Sequence, residues 1–166
     1  MTPPVPSAVT PEQFRLLLGR FATGVTVLTT GDATHRPHGM TVTAFSSVSL
    51  DPPLVLACVD RAASMLSVLD AASHFAVNVL AAHQEDLSRR FAIEEMELRF
   101  DGVEWSKGAG GAPVLRESHA SIECRRHSRI EAGDHVIFVG EVVGGRVDPD
   151  TRPLVYHTGT YGRVAP

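Results

Sequence analysis

The run Gly39-Met-Thr-Val-Thr-Ala-Phe-Ser-Ser-Val-Ser-Leu-Asp-Pro-Pro-Leu-Val-Leu-Ala-Cys-Val59 sets two extended segments on either side of one breaker. Residues 40–50 are dense in β-branched and hydroxyl side chains, which suit a pleated surface. Asp51-Pro52-Pro53 interrupts them, because proline has no N–H to give to a strand ladder. The apolar run 54–59 then resumes extended chain. Working outward, Val25-Thr26-Val27-Leu28-Thr29 has strand composition and ends on the turn signal Gly31-Asp32. Phe75, Val77 and Val79 alternate with polar or small neighbours, as a half-buried strand does. Further strands are expected at 120–124, at 135–147 with bends at Gly140, Gly144 and Gly145, and at 154–157.

Helices are few and short. Thr10-Pro11-Glu12-Gln13 is a helix start, with Thr10 as cap, Pro11 in the first turn and Gln13 closing a capping box. Phe14, Leu17, Leu18 and Phe21 follow at i, i+3, i+4 and i+7, a stripe predicted to pack on a sheet, with Gly24 ending the helix. Ser64 is expected to cap a second helix carrying Met65, Leu66, Val68 and Leu69, and 84–91 reads as a third. Residues 94–117 give no clear pattern. A Pro-rich tail at 1–9 and one domain over 10–166 complete the expected layout. Six or seven strands without regular strand–helix alternation predict a β-rich α+β fold, an antiparallel barrel with a few short flanking helices.

The 166 residues are 43% hydrophobic and 20% charged, with a formal net charge of -4. That balance argues against a nucleic-acid or anionic-membrane surface as the main partner. Cys58 and Cys124 lack the spacing of a disulfide framework or zinc site and read as reduced thiols. The opening residues lack a signal-peptide pattern, and no apolar run approaches the roughly 20 residues of a membrane helix. A cytoplasmic chain is the expectation.

Common catalytic signatures are missing. There is no G-x-G-x-x-G, P-loop, G-x-S-x-G or H-E-x-x-H pattern in a fitting context. What stands out is a hydroxyl cluster: Thr41, Thr43, Ser46, Ser47 and Ser49, with Ala44 small enough to let a ligand approach. These hydroxyls suit a polyol or phosphate, and equally the solvated face of a strand. Val59-Asp60-Arg61-Ala62-Ala63-Ser64 leads from strand to helix and reads as an anion site through Arg61 and Ser64. Arg89 and Arg90 add positive charge, and Phe91 a flat apolar surface. Each also reads as an ordinary cap, a solvated charge or a core aromatic. His135, after the Gly133-Asp134 turn, stands at the mouth of a strand. The other seven histidines lack metal-ligand spacing.

Together, Phe21-Ala-Thr-Gly-Val-Thr-Val, the 39–54 segment, Phe75-Ala-Val-Asn-Val-Leu, Arg90-Phe-Ala and Gly133-Asp-His…Gly140-Glu-Val strongly resemble the flavin reductase-like family. Its members are the small reductase components of two-component flavin monooxygenases. The resemblance spans about 14–161, with the motifs in the same order. It implies a split β-barrel, a homodimer, and FMN or FAD bound near the subunit interface. It also implies NADH or NADPH as hydride donor and a monooxygenase partner reached by diffusion of reduced flavin. Residue by residue, Thr41, Val42, Thr43, Ala44, Ser46 and Ser47 resemble the flavin-contacting strand and loop. Cys58, Val59, Asp60 and Ser64 resemble a second flavin segment, and Arg90 and Phe91 a third. His135 resembles the residue near the nicotinamide, and Tyr161 lies in the C-terminal aromatic motif. On this reading Arg61 and Ser64 hold the flavin phosphate, and His135 orients the nicotinamide or its pyrophosphate. Residues 94–117 and the run Arg125-Arg126-His127-Ser128-Arg129 match poorly; that run could meet a 2′-phosphate or lie in a solvated loop. Competing readings are reduction of another acceptor such as ferric iron, a non-enzymatic flavin-binding module, and a structural barrel.

Overall fold

The structure is a computed structural model that describes residues 9–165; most of the expected Pro-rich tail, residues 1–8, lies outside the described residues. In chain order the elements are α1 (Pro11–Leu18), β1 (Thr23–Gly24), β2 (Thr26–Gly31), β3 (Pro37–Val42), β4 (Phe45–Leu50) and β5 (Pro53–Asp60). Then follow α2 (Leu66–Ala71), β6 (His74–Val79), α3 (Glu85–Ile93), β7 (Trp105–Lys107) and β8 (Pro113–Leu115). The chain closes with β9 (Ala120–Ala132), β10 (His135–Val147), β11 (Leu154–His157) and β12 (Thr160–Arg163).

Seven strands form one antiparallel sheet in the order β3-β2-β6-β9-β10-β5-β4. Its two edge strands are consecutive in sequence, joined only by Thr43 and Ala44. Laid flat, the edges would stand about 29 Å apart at the usual strand spacing. Three Cα steps from Val42 to Phe45 span at most about 11 Å. The sheet therefore curls until its edges nearly meet, without pairing: a split barrel. The expected antiparallel β-rich class is borne out.

Side chains from both ends of that curl fill its interior. Leu28, Val42, Ala57, Val59, Phe75 and Phe138 belong to one buried cluster, with Met65 and Leu69 of the α2 region packed into it. A second cluster joins Val25, Val27, Leu80, Phe91, Leu115 and Leu154, where α3 and β11 cover the sheet. The expected bends in β10 are real, for its register against β9 shifts at Val139/Gly140 and at Val142/Gly144. Glycine is required at 140, since a Cβ there would stand 2.5 Å from Phe75 Cζ and 2.7 Å from Cys124 Cβ.

Several expectations need correction. The single run 40–50 is two strands, because the chain turns the barrel corner at Thr43-Ala44. β6 is buried on both faces rather than half-buried. Its Asn78 satisfies the buried amide by donating to Val27 O and Thr29 Oγ1 and accepting from Leu115 N–H. β9 runs to Ala132, well beyond 124, because it pairs with the whole of β10. β7, β8 and β12 had no readable signal. Ser64 does not cap α2, whose N-cap position is Met65 with no side-chain bond.

The capping box of α1 is present, with Gln13 N–H donating to Thr10 Oγ1 at 3.2 Å and Thr10 N–H to Gln13 Oε1 at 3.0 Å. The helix stops at Leu18, with Gly19 as C-cap, while Gly24 lies in β1. Its stripe is not buried: Phe14 is 58% exposed, Leu17 64%, Leu18 52% and Phe21 71%. The sheet of the same chain does not cover it, although β4 and the ends of β9 and β10 also carry exposed apolar side chains such as Val48 and Val147.

Candidate functional site

The corner at Thr43-Ala44 is where the first group of expected residues meets. Phe45 N–H donates to Thr43 O at 3.0 Å, and Cys58 N–H donates to Ala44 O at 2.9 Å, docking the corner on β5. Alternation along β5 turns Val55, Ala57 and Val59 into the core and leaves Cys58 and Asp60 on the other face. Burial pushes the Cys58 thiol up from its ordinary value. Across the ladder Cys58 faces Ile137 and Asp60 faces His135. The turn after β5 is stitched to the turn before β10, because Arg61 N–H donates to Asp134 O at 3.0 Å. Asp60 Oδ1 accepts from Ala62 N–H at 2.8 Å and rigidifies that turn.

His135 stands at the rim with 42% of its side chain exposed, its Nδ1 2.7 Å from Asp134 Oδ1. Hydrogen bonding to His135, reinforced by the imidazole charge, lowers the Asp134 carboxyl below its ordinary value. An ionised carboxylate only accepts, so Nδ1–H donates, and Nε2 makes no hydrogen bond to the described residues. Ser46 and Ser47 lie exposed along β4, opposite Leu56 and Val55. Val42 and Val59 are core side chains, so only their backbones can meet a ligand.

A second group lines a cavity of about 210 Å³ bounded by Met40, Thr41, Ala63, Ser64, Met65, Phe91, Ala92 and Arg99. Thr41 Oγ1 donates to Ser88 O at 2.6 Å, and Ser88 Oγ lies 2.9 Å from Tyr161 Oη. The Arg89 guanidinium rests 4.8 Å over the Tyr161 ring. Through Ser88, therefore, the C-terminal aromatic pair Tyr156–Tyr161 is tied to β3.

Three expected roles meet obstacles. Phe91 is 1% exposed and stands edge-on to Phe100 at 5.0 Å, so it is a core aromatic whose edge walls the cavity rather than an open stacking platform. Arg90 donates to Asp101 O at 2.8 Å and lines a different cavity with His83 and Glu104. Arg61 donates through Nε to Gly133 O at 2.9 Å and pairs with Glu131, so its guanidinium is already engaged. The run 125–129 is strand rather than loop: Arg125 pairs with Glu141, Arg129 with Asp70 and Glu131, and Arg126 donates to Leu69 O and Asp70 O. Sequence reasoning missed Arg99 and Ser88. Arg99 lies in the patternless 94–117 stretch, and Ser88 carries only the signal of an ordinary helix residue.

Among the described residues no His, Cys, Asp and Glu side chains gather as a metal-ligand set of three, and no helix is long and apolar enough to cross a membrane. Residues 18–165 match the family model described as flavin reductase like domain. The chain belongs to the flavin reductase-like family. This flavin reductase-like chain is 46% identical to the stachydrine N-demethylase reductase subunit Stc3 of Rhizobium meliloti (strain 1021), over 80% of its own residues. It spans 57% of that relative's length. It is 43% identical to an NADH-dependent FAD reductase of Streptomyces globisporus, covering 93% of this chain and 86% of the other. The solved Streptomyces globisporus C-1027 NADH:FAD oxidoreductase SgcE6, in complex with NAD and FAD fragments, superposes with a TM-score of 0.88 at 43% identity. That superposition covers 95% of this chain and 96% of the other. The family resemblance read from the sequence motifs is borne out.

Proposed function

We propose that this chain is an NAD(P)H-dependent flavin reductase that moves a hydride from a nicotinamide to FMN or FAD and supplies reduced flavin to a partner monooxygenase. The observation that carries this reading is the docked corner. It sets the 41–47 hydroxyl segment, the outward face of β5 at Cys58 and Asp60, and His135 around one rim. The residues fit a flavin: exposed serine hydroxyls and backbone for its polar edges, Cys58 and Ala44 for its ring, and the Ser64–Arg99 cavity for its phosphate end. The nucleotides supply the chemistry, hydride transfer from nicotinamide C4 to flavin N5.

This chain's contribution is positioning. Asp60 and Asp134, the carboxylates at the rim, are both engaged, by Ala62 N–H and His135. Both brace the rim, which suits a reaction that depends on close approach and exclusion of water. His135, braced by Asp134, presents Nε2 to the nicotinamide amide or its pyrophosphate. Thr41, tied through Ser88 to Tyr161, holds β3 against α3 at the other end of the site.

The reading includes a homodimer, because the exposed stripe Phe14, Leu17, Leu18 and Phe21 is a contiguous apolar face of the kind that marks interaction surfaces. It also places the chain in the cytoplasm, where the reduced nucleotides it would consume are made. The test is NADH absorbance with purified protein, with and without FMN or FAD. Oxidation that saturates with one flavin is the expected result. No oxidation with NADH or NADPH and either flavin would overturn the proposal in favour of a binding module.

A further inference from the structure

The cavity beside Thr41 and Ser64 needs a source of positive charge if an anionic ligand is to enter it, and the arginines nearest in sequence to its motifs are all spent elsewhere. Arg61 is held by Glu131 and Gly133 O, Arg89 by Glu85 and the Tyr161 ring, and Arg90 by Asp101 O outside the cavity. Arg99 differs. It is half-buried and lines the cavity directly. Nε donates to Glu94 O at 2.9 Å and Nη1 to Gly39 O at 2.8 Å, which fixes the plane of the guanidinium. No carboxylate lies within ion-pair distance of it among the described residues. Burial pulls its pKa down, and Glu95 and Glu97 oppose that only through space.

A guanidinium carries five N–H donors. Two of Arg99's are used on backbone carbonyls, and Nη2 has no protein acceptor. Ser64 lines the same cavity, and its hydroxyl is likewise without a protein partner among the described residues. Thr41 Oγ1 has given its proton to Ser88 O and adds no donor. A rigid cation that is partly desolvated and unpaired, lining one cavity with a free hydroxyl, suits a phosphate ester, which accepts two parallel guanidinium N–H bonds.

We propose that Arg99, with Ser64, receives the phosphate of the bound flavin and makes this chain select phosphorylated flavins over riboflavin. The assignment rests on the proposed flavin chemistry and moves the phosphate cation from Arg61 to Arg99. It also gives part of the patternless 94–117 stretch a role, since Arg99 donates to Gly39 O of β3 and lines the cavity beside it.

The experiment titrates wild type, R99Q and R99K with FMN, FAD and riboflavin by flavin fluorescence, with each fold checked by thermal unfolding. KM for NADH is measured in parallel at saturating FMN. Wild type is expected to prefer FMN to riboflavin by about tenfold or more, the scale of a charge-assisted pair. R99Q should lose that preference, with Kd for FMN and FAD rising about tenfold and Kd for riboflavin moving less than about twofold. R99K should recover part of it. Equal weakening of FMN and riboflavin would overturn the assignment by reducing Arg99 to a brace for Gly39. A raised KM for NADH with unchanged FMN affinity would overturn it in favour of the nicotinamide nucleotide's phosphates. If R99Q does not fold, an absent FMN preference in the wild type overturns it alone. Wild type that binds none of the three flavins would sink the flavin reading itself, a result distinct from all of these.

Discussion

His135 is braced from one side only, by Asp134, so its replacement leaves the β5–β10 ladder intact and removes only what the ring presents. H135A is expected to raise KM for NADH about tenfold, the loss of roughly one hydrogen-bonded contact, while Kd for the flavin stays within about twofold. Steady-state kinetics and flavin titration check this. Loss of reduction with both binding constants unchanged would show that His135 takes part in the chemical step. Cys124 shows the opposite situation, a residue with reactive chemistry made inert by position. Burial, then Glu123, pushes its thiol up to about 12. The folded value lies above the unfolded one, so its contribution to stability is full below about pH 9 and lost as the pH rises toward 12. Thermal unfolding should show a midpoint that falls over that alkaline window, with a shallower fall in C124A. Under native conditions near neutral pH, iodoacetamide should leave Cys124 unmodified until the protein unfolds.

Among the elements, the β2–β3 hairpin depends on a single carboxylate. Asp32 accepts from Thr34 N–H, Thr34 Oγ1, Arg36 N–H and His38 Nε2 at 2.7–3.0 Å. These bonds, His38 first, hold its carboxyl well below the usual carboxylate range. A depressed folded value means the contribution is present above the unfolded pKa near 4 and lost as the pH falls below it. D32N should therefore lower the melting temperature at neutral pH and flatten its decline in acid, measured by calorimetry across that range. β10 was legible as a bent strand because Gly140 and Gly144 sit where Cβ atoms do not fit or the register slips. G140A should cost about 1–3 kcal/mol, the usual penalty for overpacking, read from a urea midpoint. The helices were legible where their signals are local, as in the α1 capping box. β7, β8 and β12 were not, since Trp105–Lys107, Pro113–Leu115 and Thr160–Arg163 lack the apolar or β-branched run that made the equally short 154–157 readable.

At the scale of the whole molecule, the exposed stripe of α1 is the largest departure from expectation. Amphipathic spacing announces that a face will be covered, and it does not say by which chain. If a second copy covers it, the protein in solution should have about twice the 17.8 kDa chain mass. F14S with F21S should yield a monomer by light scattering, with flavin affinity reduced if the interface forms part of the site. A wild-type monomer would remove the dimer from the functional reading.

The sequence by itself determined the extended character of 40–59, the break at Asp51-Pro52-Pro53, the capping box and the family motifs. All of these depend on backbone preferences and neighbours within a few residues. Strand order, and with it the meeting of Thr41, Ser64, Ser88, Arg99 and Tyr161, was decided only by the tertiary structure. The partners of a guanidinium are chosen by which carbonyls and carboxylates the curled sheet brings within about 3 Å. Arg61, placed beside an apparent anion site in sequence, was claimed by Glu131 from a strand seventy residues away. Arg99, in a stretch without pattern, was left unpaired beside the cavity.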